Sequence, residues 1–130
     1  MQTSELVRGA LTSQIIGAAI EVHRALGPGY LESVYSNALS AALTARGVSH
    51  AREHEVDLYF NGTHIGKHRL DLLVEDAVVV ELKAVEKVLE VHKAQTRSYL
   101  KSTGKEVGLL LNFDAPLLEV KRFVLTDDHK

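Results

Sequence analysis

The 130-residue chain has no cysteine, no tryptophan and only two prolines. Without cysteine there are no disulfides, thiolate zinc sites or cysteine nucleophiles, and nothing ties the chain to an oxidising compartment. No apolar run approaches the roughly 18 residues needed to span a bilayer, and Met1 to Ala10 lacks the basic and apolar segments of a secretory leader. The expectation is a cytoplasmic protein without a membrane partner. An excess of positive charge is also missing. Fifteen Lys and Arg stand against seventeen Asp and Glu, a net charge of -2, so a nucleic acid must be drawn by a local patch or a bound cation. What is present is an ordinary globular composition, 45% hydrophobic and 25% charged, at a length that suits one domain over residues 1–130.

Apolar residues at three- and four-residue steps predict a helix over the first 26 residues, through Leu6, Leu11, Ile15, Ala19 and Val22, stopped by Gly27-Pro28-Gly29. A second helix is expected from Tyr30 to a cap at Gly47. The pattern then changes to β-prone runs over Glu55 to Phe60, Thr63 to Val74 and Ala77 to Ala84. Asn61-Gly62 has the chemistry of a type I′ hairpin turn, whose two central positions need positive φ. A third helix is predicted from Val85 to Thr103, followed by strands at Val107 to Phe113 and Leu117 to Leu125. The order ααβββαββ is an α+β domain, a sheet flanked by helices.

Chemistry concentrates in the second hairpin. If Glu75-Asp76-Ala77 is a three-residue link, Val74 pairs with Val78, and counting back sets Asp71 opposite Glu81, Cβ atoms about 5 Å apart. Two-residue alternation brings Lys83 to the face of Glu81. Paired carboxylates repel unless one is protonated, a base lies between them or a cation is bound. Magnesium or manganese prefers one or two carboxylates plus water and phosphate, and would support phosphodiester hydrolysis with lysine assistance. The other account is a surface Glu81 to Lys83 ion pair worth under about 1 kcal/mol. Apolar neighbours on both faces, with Leu72, Val74, Val78, Val80 and Leu82 on one and Leu73 and Val79 on the other, mark a covered central pair where unsatisfied charge is costly.

In the third helix Val88, His92, Gln95 and Tyr99 share one face, expected inward, while Lys93, Arg97 and Lys101 form a basic stripe opposite. Tyr99 as a core aromatic and the stripe as a solvated face are the structural accounts of these features. Glu32, near a helix start, is explained by the macrodipole alone. Among seven histidines, His64 and His68 lie about 13 Å apart on a strand, too far to share an ion. Zinc is not expected at His50 and His54, and His23 and His92 are best read as hydrogen-bonded structural groups.

Taken together, Asp71, Glu81-Leu82-Lys83, Gln95-x-x-x-Tyr99 and Gly29-x-x-Glu32-x-x-Tyr35 resemble the GxxExxY family, a branch of the PD-(D/E)XK nuclease superfamily. The similarity runs from Val22 to Phe113. It implies a restriction-endonuclease-like core with a mixed sheet. It also implies a divalent metal, magnesium or manganese, on Asp71, Glu81 and the Leu82 backbone carbonyl, with Glu32 completing the site directly or through water. Lys83 matches the catalytic lysine, and Gln95 with Tyr99 match a motif of exonuclease branches. Leu70 stands where the superfamily often has proline. The function implied is a metal-dependent nuclease acting on DNA, with a homodimer expected for double-strand cleavage. The alternative is an inert nuclease-fold module that binds nucleic acid or a partner protein.

Overall fold

The computed structural model describes residues 7–126. Helices α1 (Gly9–Leu26) and α2 (Glu32–Ala45) come first, then strands β1 (His50–Phe60), β2 (Thr63–Val74) and β3 (Val78–Lys83), helix α3 (Glu90–Thr103), and strands β4 (Val107–Asn112) and β5 (Glu119–Val124). This is the expected α+β order. The strands form one sheet in sequence order, with β3 and β4 parallel and the other neighbours antiparallel. A parallel pair requires a crossover, and α3 supplies it over one face. Helices α1 and α2 cover the other. Leu72, Val74, Val78, Val80 and Leu82 pack with Ile15, Val22, Tyr35 and Leu39, while Leu73 and Val79 pack with Tyr99 and Leu100, so the two-sided burial of the central pair is as expected. Among the described residues no helix is long and apolar enough to cross a membrane.

Both hairpin turns follow their chemistry. Asn61 and Gly62 have φ of 48° and 79°, as type I′ geometry requires, and Val74 pairs with Val78 across Glu75-Asp76-Ala77. Element boundaries moved where side chains captured backbone groups. Strand β1 starts at His50 rather than Glu55 because the Glu75 amide donates to the Ser49 carbonyl and the Glu75 carboxylate accepts the Ser49 amide, closing the hairpin from its open end. Helix α3 starts at Glu90 rather than Val85. Asn112 brackets Val85, accepting its N–H at 3.1 Å and donating to its carbonyl at 2.9 Å, and His92 Nδ1 accepts the Leu89 amide at the helix start. Residues 1–6 of the expected first helix lie outside the described residues, and β5 is shorter than expected by two residues at its start and one at its end.

The inward face of α3 is Thr96, Tyr99 and Leu100, whereas Gln95 and Val91 are exposed, a correction to the inward Gln95 expected from spacing. Gly108 of β4 is the reason. A Cβ there would lie 3.2 Å from Leu100 Cδ2 and 3.4 Å from Thr96 Cγ2, so the bare glycine admits these two side chains and sets the rotation of the helix.

Tyr35 ties the start of α2 to the sheet. Its fully buried ring stacks on Phe113 with centroids 4.7 Å apart, and its hydroxyl donates to the Gly27 carbonyl at 2.6 Å and accepts the Tyr30 amide at 3.2 Å. With the Tyr30 amide so engaged, the helix begins at Glu32, two residues later than expected. The Gly29 amide donates to Asp114 at 3.0 Å, and its φ of 112° is readily reached only by glycine. Gly29 and Tyr35 therefore hold the loop that presents Glu32. Tyr35→Phe keeps the ring but leaves the Gly27 carbonyl and the Tyr30 amide unpartnered, at a cost of about 1–2 kcal/mol. A melting temperature lower by roughly 3–8 °C is expected in thermal denaturation, and an unchanged value would show the hydroxyl to be idle.

Candidate active site

The pairing of β2 with β3 ends at Leu72 and Val80. The next rung would join Leu70 to Leu82, and it is not made. Instead the Leu82 amide donates to Asp71 Oδ2 at 2.8 Å, and the Asp71 amide donates to Glu81 Oε1 at 3.0 Å. Each carboxylate thus caps a backbone donor of the opposing strand. In a regular ladder the Asp71 amide would point toward β1, because its neighbour Leu72 is engaged with β3. Glu53, the β1 residue opposite Asp71 in register, has φ of 50° and has left the extended conformation. Leu70 correspondingly packs on the α3 side, although it lies two residues before Leu72. Strand β2 turns over at Asp71, and the sheet opens there.

The opening brings the sequence-derived residues together. Glu81 is buried, and the burial together with the Asp71 carboxylate pushes its pKa up to about 9, so the pair holds a proton near neutrality. Glu32, at the start of α2, is raised by burial and then by Asp71, with Lys83 acting in the opposite sense. Tyr99 is pushed up to about 12 by burial and by the charges of Glu81 and Asp71, against a hydrogen bond from the Gln95 side chain, so its hydroxyl stays neutral. Gln95 serves that hydroxyl from an exposed position. Lys83 is half-buried and forms no ion pair among the described residues, which removes the account of Glu81 and Lys83 as a surface salt bridge.

Glu32, Ser33 and Ser36 of α2, Arg52 and Glu53 of β1, Asp71 and Leu82 line a cleft of about 190 Å³. N–H and C=O of one residue leave a strand by the same edge, so the Leu82 carbonyl faces the gap that its amide faces. The oxygen donors of Asp71, Glu81 and Leu82 are hard ligands suited to a divalent cation. Among the described residues no three Asp, Glu, His or Cys side chains converge as a ready metal site. A cation that takes one or two carboxylates and keeps its waters does not require them to.

Arg52, Glu53 and Ser36 were not anticipated. Arg52 and Glu53 precede the alternation of β1, which is legible only from Glu55, and Ser36 carries no pattern of its own. Four of the described histidines have structural partners. His23 hydrogen-bonds the Ala115 carbonyl at 2.9 Å, His92 caps α3, His50 contacts Ser40 at 2.7 Å and His64 pairs with Asp57 at 3.0 Å.

A family model of the PD-(D/E)XK nuclease superfamily matches residues 9–123. The chain belongs to that superfamily. Its restriction-endonuclease-like fold is the one described, with Asp71, Glu81 and Lys83 where the strands part, and the substrate class of such nucleases is nucleic acid. The solved structure of SSO0001 is similar, with a TM-score of 0.60 at 18% identity over 93% of this chain, a likeness of fold. The chain spans 62% of the length of that protein. No curated protein matches the chain.

The Asp71 and Glu81 pair carries a pH signature. An acid whose folded pKa of about 9 exceeds its ordinary 4.5 stabilises the fold fully below pH 4.5, and that contribution is lost as pH rises through 9. Without metal, the wild-type melting temperature should fall between pH 5 and 9. Glu81→Gln should flatten this dependence and melt roughly 5 °C higher at pH 8. Melting curves in chelator test it, and parallel pH profiles for the two proteins would refute the shared proton.

Proposed function

We propose that the chain is a nuclease of the GxxExxY subtype that uses a divalent metal, magnesium or manganese, to hydrolyse phosphodiester bonds in DNA. The carrying observation is the strand opening at which Asp71 and Glu81 meet, with Lys83 beside them and unpaired. Asp71, Glu81 and the Leu82 carbonyl would hold the metal, which when bound supplies a Lewis acid that activates water and offsets charge on the phosphate.

The remaining roles follow from the environment of each group. Lys83 presents an ammonium to the phosphoryl oxygens, where its charge counts for most as the transition state gathers negative charge. Glu32, its pKa raised by burial and Asp71, is suited to orient a water and receive its proton, directly beside the metal or through a second water. Tyr99 keeps its proton and serves as a neutral donor, and Gln95 fixes the direction of that hydroxyl. Glu32 is placed by the Tyr35 and Gly29 contacts, so the motif combines one chemical residue with two that build its loop. The domain matched over residues 9–123 offers little surface for reading base edges, which favours cutting directed by DNA structure or by a partner, and a homodimer where both strands are cut.

Metal should stabilise only the folded protein, by about 2.7 kcal/mol at 100-fold excess over Kd, and Asp71→Asn should abolish the rise in melting temperature. Lys83→Ala should retain the metal-dependent rise yet lose cleavage of labelled DNA by about 10²–10³-fold. A wild type that neither gains stability from magnesium or manganese nor cleaves DNA is the inert binding module instead.

A further inference from the structure

The nuclease reading leaves one group in the cleft without a task. Arg52 shares the cleft with Glu32, Glu53 and Asp71, and a guanidinium among three acids would ordinarily pair with one of them. It pairs with none. Glu53 is bound to Arg69 at 3.4 Å, and no carboxylate lies within 4 Å of Arg52 among the described residues. Arg52 is held by α2 instead, where Nη2 donates to Ser36 Oγ at 3.3 Å and to Asn37 Oδ1 at 2.5 Å. Both acceptors are neutral, so the charge stays uncompensated at short range. Its Nε and Nη1 donors have no protein hydrogen bond among the described residues, and the side chain is exposed at the cleft. Nε–H and Nη1–H leave different edges of the guanidinium, and each is free to donate to an anion oxygen beside this held, uncompensated charge.

We propose that Arg52 is the phosphate-binding residue of the substrate cleft, gripping a backbone phosphate of the nucleic acid, with Asn37 and Ser36 as its positioning residues. Cross-strand pairing supports the placement. Arg52 lies opposite Leu72, so both project to the face covered by α2, whose first turn carries Glu32. In this reading Lys83 serves the reacting phosphate and Arg52 serves a neighbouring one. A chain with a net charge of -2 needs such local cations to retain a polyanion.

This rests on the nuclease reading but is tested apart from it, by DNA binding without metal. Fluorescence anisotropy in chelator would use a fluorescein-labelled DNA with a duplex and a single-stranded overhang, over a salt series. Arg52→Ala should weaken binding about tenfold and reduce the slope of log Kd against log salt by about one, the signature of one lost phosphate contact. Arg52→Lys, which keeps the charge but not the guanidinium held by α2, should recover part of the affinity and most of the slope, and Asn37→Ala should fall between wild type and Arg52→Ala. Where cleavage occurs, Arg52→Ala should raise KM far more than it lowers kcat. Unchanged affinity and slope in Arg52→Ala, with melting temperature retained, overturns the assignment, as does a wild type that binds no DNA at low salt. A wild type that binds DNA through Arg52 but never cleaves would refute the nuclease and leave the phosphate site standing.

Discussion

The site depends on a mutual substitution. Where β2 and β3 stop pairing, Asp71 takes the amide of Leu82 and Glu81 takes the amide of Asp71, so one carboxylate stands in for a carbonyl of the missing rung and the other caps an amide turned away from β1. Unpaired backbone donors in a covered sheet are costly, and the substitution removes that cost while leaving a gap. The same step sets two negative groups side by side under burial, and a proton or a cation is then needed between them. Stability and chemistry are thus coupled at one point of the sheet.

Distant features serve this opening. Glu53, out of the extended region, releases β2 from β1 at the level of Asp71. The Tyr35 clamp sets where α2 begins and hence where Glu32 stands. Gly108 sets the rotation of α3, which buries Tyr99 against the carboxylates and leaves Gln95 to reach its hydroxyl from outside. Tyr35 and Gly108 bring no charge to the reacting point, and Glu53 acts here through its backbone. Each fixes the distance or direction of a group at that point.

Much was legible beforehand for identifiable reasons. Asn61-Gly62 specifies its turn locally, and the three-residue link sets the hairpin register, from which the proximity of Asp71 and Glu81 follows by counting. Alternation of Leu72, Val74, Val80 and Leu82 against Leu73 and Val79 reveals a strand pair covered on both faces. Boundaries were less accessible. Val85 looks helical until Asn112, distant in the chain, captures its backbone, and β1 looks five residues shorter because Ser49 and Glu75 meet only across the hairpin. Arg52 carried no periodic signal, and its meaning comes from what does not pair with it.

By itself the sequence determined the order of elements, the covered central strands, the hairpin register and the acid, acid and lysine set, because turn chemistry, hydrophobic period and strand alternation act over a few residues. Tertiary structure alone decided how the carboxylates meet, through a broken rung instead of a regular one, and which other groups face them. Those outcomes depend on backbone donors finding side-chain partners across strands and helices, and no local pattern encodes such a search.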